Sequence, residues 1–541
     1  MRATRVTSIS CPPGDPAPGS LRVSRPLRWR RPCAAAPIVT ALPLLALLAT
    51  AASQAATSDE IPAHPTELEY EPLQFELPDP DAIRHQLPGG QVAFVAEDHT
   101  LPLVDITVST RVGSFLDPDD RVGLAQLTAI MMRRGGAGDL DPDGFEERAD
   151  FLAAELRSSA SDYQSSASVN CVRAALDGCL DLFFAMLATP RFDDAQLRIE
   201  KQNLLESLKQ RNDDPADVAA REWEWLLFGR EHHSTRRVTG SDLDRIDRDA
   251  LAAFHRDYWR PGKLVFSVSG DVETPAILAQ LAERLATWRP GGEAADTPWP
   301  PPPIRHRPTP GVYYVEKEIP QGRVYIGLPT AQLDGWDDPD YFPTLLMNDI
   351  LGGGGFTSRI TKRIRSDEGL AYSAGSQFNL GLYWQGRFQI GFQSKSETVA
   401  FATQIAFEEI DRLRNELVSE QELATAKAAF IDTFPGNFDS AEAVASIYAS
   451  DVLVDRPPSF WRQYRSRVGA VTREDIRRVA REYLVPEEMS ILVVGDWEEI
   501  APGDPEGRAK MGQFESILGE RPARELPARD PVSLEVVERR P

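Results

Sequence analysis

The chain has 541 residues, 82 of them Asp or Glu against 59 Lys or Arg, for a formal net charge of −23. That length exceeds what one hydrophobic core usually supports, so two or more domains are expected. So acidic a surface argues against nucleic acid and against anionic membranes as partners, because both would repel it.

In chain order, residues 1 to 32 are rich in Arg and Pro, and the apolar run "AAAPIVTALPLLALLATAASQA" follows and ends in small residues at Ala55 or Ala56. A basic region, an apolar run and small residues form the pattern of a secretory signal, so 1–56 is read as a signal peptide and 57–80 as a lead segment. The alternative is a membrane anchor, against which stand Pro43 inside the run and the lack of a basic flank after it. No other segment approaches the roughly 20 apolar residues of a spanning helix. The expected mature protein is exported, periplasmic or extracellular. Residues 1–55 hold seven Arg and one Asp, a net of +6, so cleavage takes the formal charge from −23 to −29. Only Cys171 and Cys179 remain. The compartment permits a disulfide, but "ASVNCVRAALDGCLDLFFAML" reads as a strand end and then a helix, so the two need not be neighbours.

The chain repeats itself. "FHRDYWRPGKLVFSVSGDVE" at 254–273 matches "VAREYLVPEEMSILVVGDWE" at 479–498 with a constant offset of 225, aligning Tyr258 with Tyr483, Pro261 with Pro486 and Gly270 with Gly495. Each copy reads as a helix, a Pro stop, an apolar strand and a Gly-Asp turn. "AQLRIEKQ" at 195–202 parallels "QELATAKA" at 421–428, and capping boxes are expected at Asp193 with Gln196 and at Ser419 with Glu422. Two homologous domains, 81–288 and 312–505, are therefore expected, with a Pro-rich semi-rigid linker at 289–311 and a C-terminal tail at 506–541. "QVAFVAED", "LVDITVSTRVG" and "QSSASVNCV" read as strands, and "FEERADFLAAEL" and "LDGCLDLFFAML" as amphipathic helices. The expected fold class is α+β: two homologous α/β sandwich domains, helices packed on one face of a mostly antiparallel sheet.

The order of segments resembles the pitrilysin/insulinase family of zinc peptidases, in particular its two-domain subunits akin to mitochondrial processing peptidase. "RVGSFLDPDDRVGLAQL" is similar to that family's strand, acidic turn and first catalytic helix, and "LGGGGFTSRITKRIRSDEGLAYSAGSQF" at 351–378 to the signature of its second domain. The resemblance spans nearly all of residues 70–500. Active members carry H-x-x-E-H on the first helix. Residues at i and i+4 share a helical face, so two imidazoles converge on one Zn²⁺ while the Glu reaches a metal-bound water. Laid on this chain, the two His positions are Gln126 and Ile130, the general-base position is Ala129, and the Glu ligand from a later helix is Ser207, with Glu200 kept seven residues before it. None of these four supplies the side chain the chemistry needs. The helix instead reads as core through Leu124, Leu127 and Met131. The seven His are His64, His85, His99, His232, His233, His255 and His306. No pair has the i, i+4 spacing, and His232-His233 read as a solvated loop pair.

The second half keeps what the resemblance requires of it, an Arg and a Tyr seven apart, as Arg365 and Tyr372 in "IRSDEGLAY". In active members such a pair lies near the zinc and faces the scissile carbonyl, where an Arg or phenol OH stabilises a developing oxyanion. Gly352, Gly353, Gly354 and Gly355 precede it, either a close-approach surface for substrate or a tight turn. The resemblance implies a zinc-less subunit. It would close as a clamshell with a homologous H-x-x-E-H subunit that holds the zinc, bind unfolded peptides, and lend Arg365 and Tyr372 to the partner's site. No cofactor is expected in this chain. The alternatives are a non-proteolytic scaffold of the same fold and a homodimeric peptide-binding protein.

Overall fold

The computed structural model describes His64 and residues 75–289, 291–292 and 295–537. The chain divides after Pro72, and the unit Leu73–Pro541 holds every element below. The expected signal segment 1–56 lies outside the described residues, as does most of the lead segment. Among the described residues no helix is long and apolar enough to cross a membrane.

Among the described residues, twelve strands form two six-stranded sheets. The first contains β1 (Arg84–Gln86), β2 (Val92–Glu97), β3 (Leu103–Thr110), β4 (Glu155–Ala160), β5 (Ser165–Val172) and β6 (Val265–Gly270), in the order β1-β2-β6-β3-β5-β4. The second contains β7 (Gly311–Glu316), β8 (Gln321–Pro329), β9 (Ala371–Asn379), β10 (Arg387–Lys395), β11 (Ser490–Gly495) and β12 (Arg524–Glu525), in the order β12-β7-β11-β8-β10-β9. Pairing is antiparallel except between β2 and β6, β7 and β11, and β7 and β12. The repeat is visible residue for residue: helix Arg248–Tyr258 and β6 in one half stand 225 positions before helix Arg473–Tyr483 and β11 in the other. Gly270 ends β6 at φ +109°, and a Cβ there would meet the Leu103 carbonyl oxygen at 2.1 Å, so the Gly-Asp turn needs its glycine.

The central strands are buried on both faces, and their alternation assigns each face a different cover. In β11, Ile491 and Val493 face the second half's own helices, while Leu492 and Val494 meet Val218, Ala219, Trp223 and Leu227 of helix Pro215–Phe228 from the first half. Reciprocally, Phe94 of β2 and Val265 of β6 meet Val444, Ala445, Tyr448 and Ala449 of helix Ala441–Leu453 from the second half. Each half thus lends one helix to the outer face of the other's sheet. The expectation of helices on one face describes each half's own contribution; the second face is closed by exchange.

Several boundaries differ from expectation. Leu152 ends the Pro142–Leu152 helix, Ala153 turns left-handed at φ 50°, and Glu155-Leu156 begin β4 rather than continuing the helix. Ser419 and Glu422 form the full capping box. Asp193 accepts from the Ala195 and Gln196 amides, but the Gln196 side chain turns to Glu200 instead of closing the box. The linker is docked: Trp299 lies 4.7 Å from Tyr383 and 6.3 Å from Phe115, with the Arg111 guanidinium 4.4 Å over its ring. The tail is integral. It adds β12 to β7, and Arg529 is buried beside Glu222 at 3.4 Å. Cys171 and Cys179 are free thiols, and they are neighbours: burial, and then a hydrogen bond with Cys179, raise the Cys171 thiol well above the usual range.

Limited proteolysis is expected to cut within 289–311 and yield two fragments of comparable size. Because of the exchanged helices, the fragments should stay together in gel filtration and separate only in denaturant. Cleavage scattered through the chain, with no stable halves, contradicts this architecture.

Candidate functional site

The helix that would carry the zinc motif is Leu124–Arg134, and its start is fixed from the side. Asp117 accepts from the Gly123 and Ala125 amides at 2.8 Å each, so both carboxylate oxygens cap otherwise orphaned donors. Burial pushes the Asp117 carboxyl up to about 6, against the pull of those two amides and of Arg236. Leu124, Leu127 and Met131 are buried, as the helical stripe implies. Gln126 is exposed, Ala129 is buried and Ile130 half-buried. Ser207 is exposed on helix Asp194–Lys209. The retained acid, Glu200, is committed: Arg134 donates to it at 3.0 Å and Gln196 at 2.8 Å. The position that holds a proton acceptor in active members is a methyl group in a packed core.

The histidines do not rebuild the site. His99 pairs with Asp271, His255 hydrogen-bonds the Leu187 carbonyl at 2.8 Å, and His306 the Leu226 carbonyl at 3.1 Å. His232 and His233 are not a solvated pair. Their rings lie 3.9 Å apart beneath Trp384, and His233 is only 8% exposed. Burial, then His232 and Arg236, pull His233 down to about 3, so it is neutral at physiological pH. The sequence signal that hid this is the polar run around them, which reads as surface although Trp384, remote in sequence, covers it. Among the described residues no group of three or more His, Cys, Asp or Glu is placed to hold a metal ion.

Arg365 and Tyr372 do come together. Arg365 lies on the π-helical turn Thr361–Asp367 and Tyr372 near the start of β9, an edge strand. The Arg365 guanidinium stacks 4.7 Å from the Tyr372 ring and 4.4 Å from the ring of Phe356. Tyr372 is 85% exposed and Phe356 66%. Arg365 makes no ion pair among the described residues: two exposed aromatic faces hold it, and its N–H edge is uncommitted. Phe356 was not legible as part of this group; the only signal is its place directly after the glycine run. No hydrogen bond, ion pair or ring contact joins Arg365 or Tyr372 to Gln126, Ala129, Ile130 or Ser207.

The glycine run has a structural job. Asp349–Gly353 is a second π-helical turn, and a Cβ on Gly352 would meet the Ser376 amide nitrogen of β9 at 2.5 Å. Gly352 is therefore where this turn presses onto the strand bearing Tyr372. Gly353 is exposed, Gly354 half-buried, and Gly355 is exposed at φ +60°. Single π turns recur at functional sites, where they re-aim neighbouring side chains.

Residues 92–224 match the insulinase family of peptidases (peptidase family M16), and residues 245–430 match the peptidase M16 inactive domain. The chain belongs to the pitrilysin/insulinase peptidase family. This member lacks the H-x-x-E-H motif. A Helicobacter pylori protein named as a non-peptidase homolog is 26% identical over 343 residues, covering 63% of this chain and 76% of the relative. An uncharacterized zinc protease of Mycobacterium tuberculosis is 23% identical over 343 residues, 62% of this chain and 75% of the relative. The crystal structure of a peptidase M16 inactive domain from Pseudomonas fluorescens aligns with TM-score 0.66 at 22% identity, over 76% of this chain and 97% of that one. A chain of complex III2 from Candida albicans aligns with TM-score 0.61 at 13% identity, over 80% of this chain and 99% of that one. Both structures show a shared fold.

Purified without chelator, this insulinase-family chain is expected to contain no stoichiometric zinc and to cleave no peptide. The double substitution Gln126→His, Ile130→His should not create activity, because Ala129 leaves no base and Ser207 no third ligand. Elemental analysis checks it; one tightly held zinc per chain contradicts it.

Proposed function

We propose that this chain is the zinc-less subunit of an insulinase-type metallopeptidase. It binds unfolded peptide and lends Arg365 and Tyr372 to the active site of a homologous H-x-x-E-H subunit that holds the zinc. The observation that carries the reading is the Arg365 guanidinium, stacked between exposed Phe356 and Tyr372 with no carboxylate partner. A cation kept unpaired at a surface, next to an exposed phenol, is suited to stabilising negative charge that appears elsewhere. The two proteins would work outside the cytoplasm, in keeping with the N-terminal pattern, and would close as a clamshell around the peptide.

The second reading is a scaffold subunit without proteolysis, which the fold shared with a chain of complex III2 favours. Mixing the purified chain with the family's zinc-motif homologue from the same genome separates the two. The first reading expects chelator-sensitive peptidase activity that requires both chains. A stable complex in which activity is absent, or is unchanged by omitting this chain, favours the scaffold.

A further inference from the structure

The Arg365–Tyr372 pair has a neighbour, Phe356, to which the proposed reaction gives no role. Phe356 sits on the short 3₁₀ turn Gly355–Thr357, directly after the glycine run. Its ring is exposed and lies outside all four hydrophobic cores. Among the described residues the ring has one stacking partner, the Arg365 guanidinium at 4.4 Å. Core packing therefore does not explain it.

The backbone that carries Phe356 is tied to the strand that carries Tyr372. Gly352 presses on Ser376 of β9. The Thr357 hydroxyl donates to the Gly354 carbonyl at 2.8 Å, and the buried Ser358 hydroxyl to the Gly355 carbonyl at 2.7 Å. Thr361, the first residue of the π-helical turn that bears Arg365, donates to the Ala374 carbonyl of β9 at 2.7 Å. Phe356, Arg365 and Tyr372 thus project from one hydrogen-bonded frame.

A guanidinium can be fixed in two ways. A carboxylate takes its N–H edge and cancels its charge, whereas an aromatic face takes the plane of the cation and leaves the edge free. Arg111 over Trp299 and Arg456 over Trp336 also stack, but they spend N–H groups on the Leu453 and Val452 carbonyls and on Asp451. Arg365 spends none among the described residues, and none of its nitrogens is both buried and unpartnered, so its edge opens to solvent. We infer that Phe356 is the positioning residue of this site. With Tyr372 it holds the Arg365 guanidinium in one orientation, edge outward and charge intact, toward the negative charge that develops on the substrate. The inference rests on the reading of Arg365 as an oxyanion donor. Such a donor must be ordered in advance, because a mobile arginine would have to be immobilised during the reaction.

The test has two arms. The first uses the full chain alone, grown with isotope-labelled arginine. The Arg365 Nε–H NMR signal, assigned by its loss in Arg365→Lys, is expected to be displaced by the ring currents of the flanking faces. Phe356→Ala should move it toward the position of free arginine, and Phe356→Tyr, which keeps the ring, should not. The thermal midpoint should hold in both. The second arm uses the chain reconstituted with its zinc-bearing homologue. Phe356→Ala should lower kcat roughly three- to thirtyfold with KM little changed, a smaller loss than that expected of Arg365→Ala. Phe356→Tyr should keep the rate, and Phe356→Leu, which has bulk without a π face, should not. An Arg365 signal left in place by Phe356→Ala overturns the inference. So does an unchanged kcat in Phe356→Ala where Arg365→Ala removes turnover, an effect on KM alone, or full activity in Phe356→Leu. If Arg365→Ala also leaves turnover intact, the peptidase reading is what fails, and the NMR signal alone then upholds or overturns Phe356 as the holder of Arg365.

Discussion

Trp223→Ala is expected to lower the free energy of unfolding by about 3–5 kcal/mol, the usual cost of removing a fully buried large aromatic. Trp223 is 1% exposed and belongs to the helix that the first half lends to the second. Its ring lies 5.8 Å from Tyr325 of β8, and its indole N–H donates to the Gln389 side chain of β10 at 3.0 Å. The substitution therefore opens a cavity between the halves and strips Gln389 of its donor. Domains are stable by only about 5–15 kcal/mol, so the loss is a large fraction of the total. Denaturant midpoints at constant slope measure it. A change under about 1 kcal/mol would show that the exchanged helix is not what joins the halves.

That exchange was not legible in the sequence. The pattern of helix Pro215–Phe228 shows an apolar face, but periodicity does not say which sheet the face meets. The repeat was legible because its parts are strong local signals: a capped helix, a Pro stop, an apolar strand and, at Gly270, a glycine that the Leu103 carbonyl leaves no room to replace. The loss of the zinc site was equally legible, since Gln126, Ala129, Ile130 and Ser207 can be judged by side-chain chemistry alone. Phe356, the burial of His233 and the docking of Trp299 and Arg529 were not. Each depends on a partner more than a hundred residues away or on an irregular turn with no propensity signature.

Arg365→Ala and Tyr372→Phe carry the second large effect. In the complex with a zinc-bearing partner, Tyr372→Phe should slow turnover without changing assembly, because it removes only the phenol OH. Loss of one oxyanion donor typically costs about 2.7–4 kcal/mol, or roughly 10²–10³ in kcat. Arg365→Ala should cost at least as much, part of it through the lost stacking on Phe356 and Tyr372. Both side chains are at the surface, so the thermal midpoint of this chain should hold. The most direct measurement is the kcat of the reconstituted pair carrying the double variant Arg365→Ala, Tyr372→Phe, with co-purification and melting recorded alongside. An intact complex with turnover reduced by at least roughly a hundredfold is the expected result. Full peptidase activity from an intact, well-folded complex would contradict the proposal that this subunit completes its partner's site.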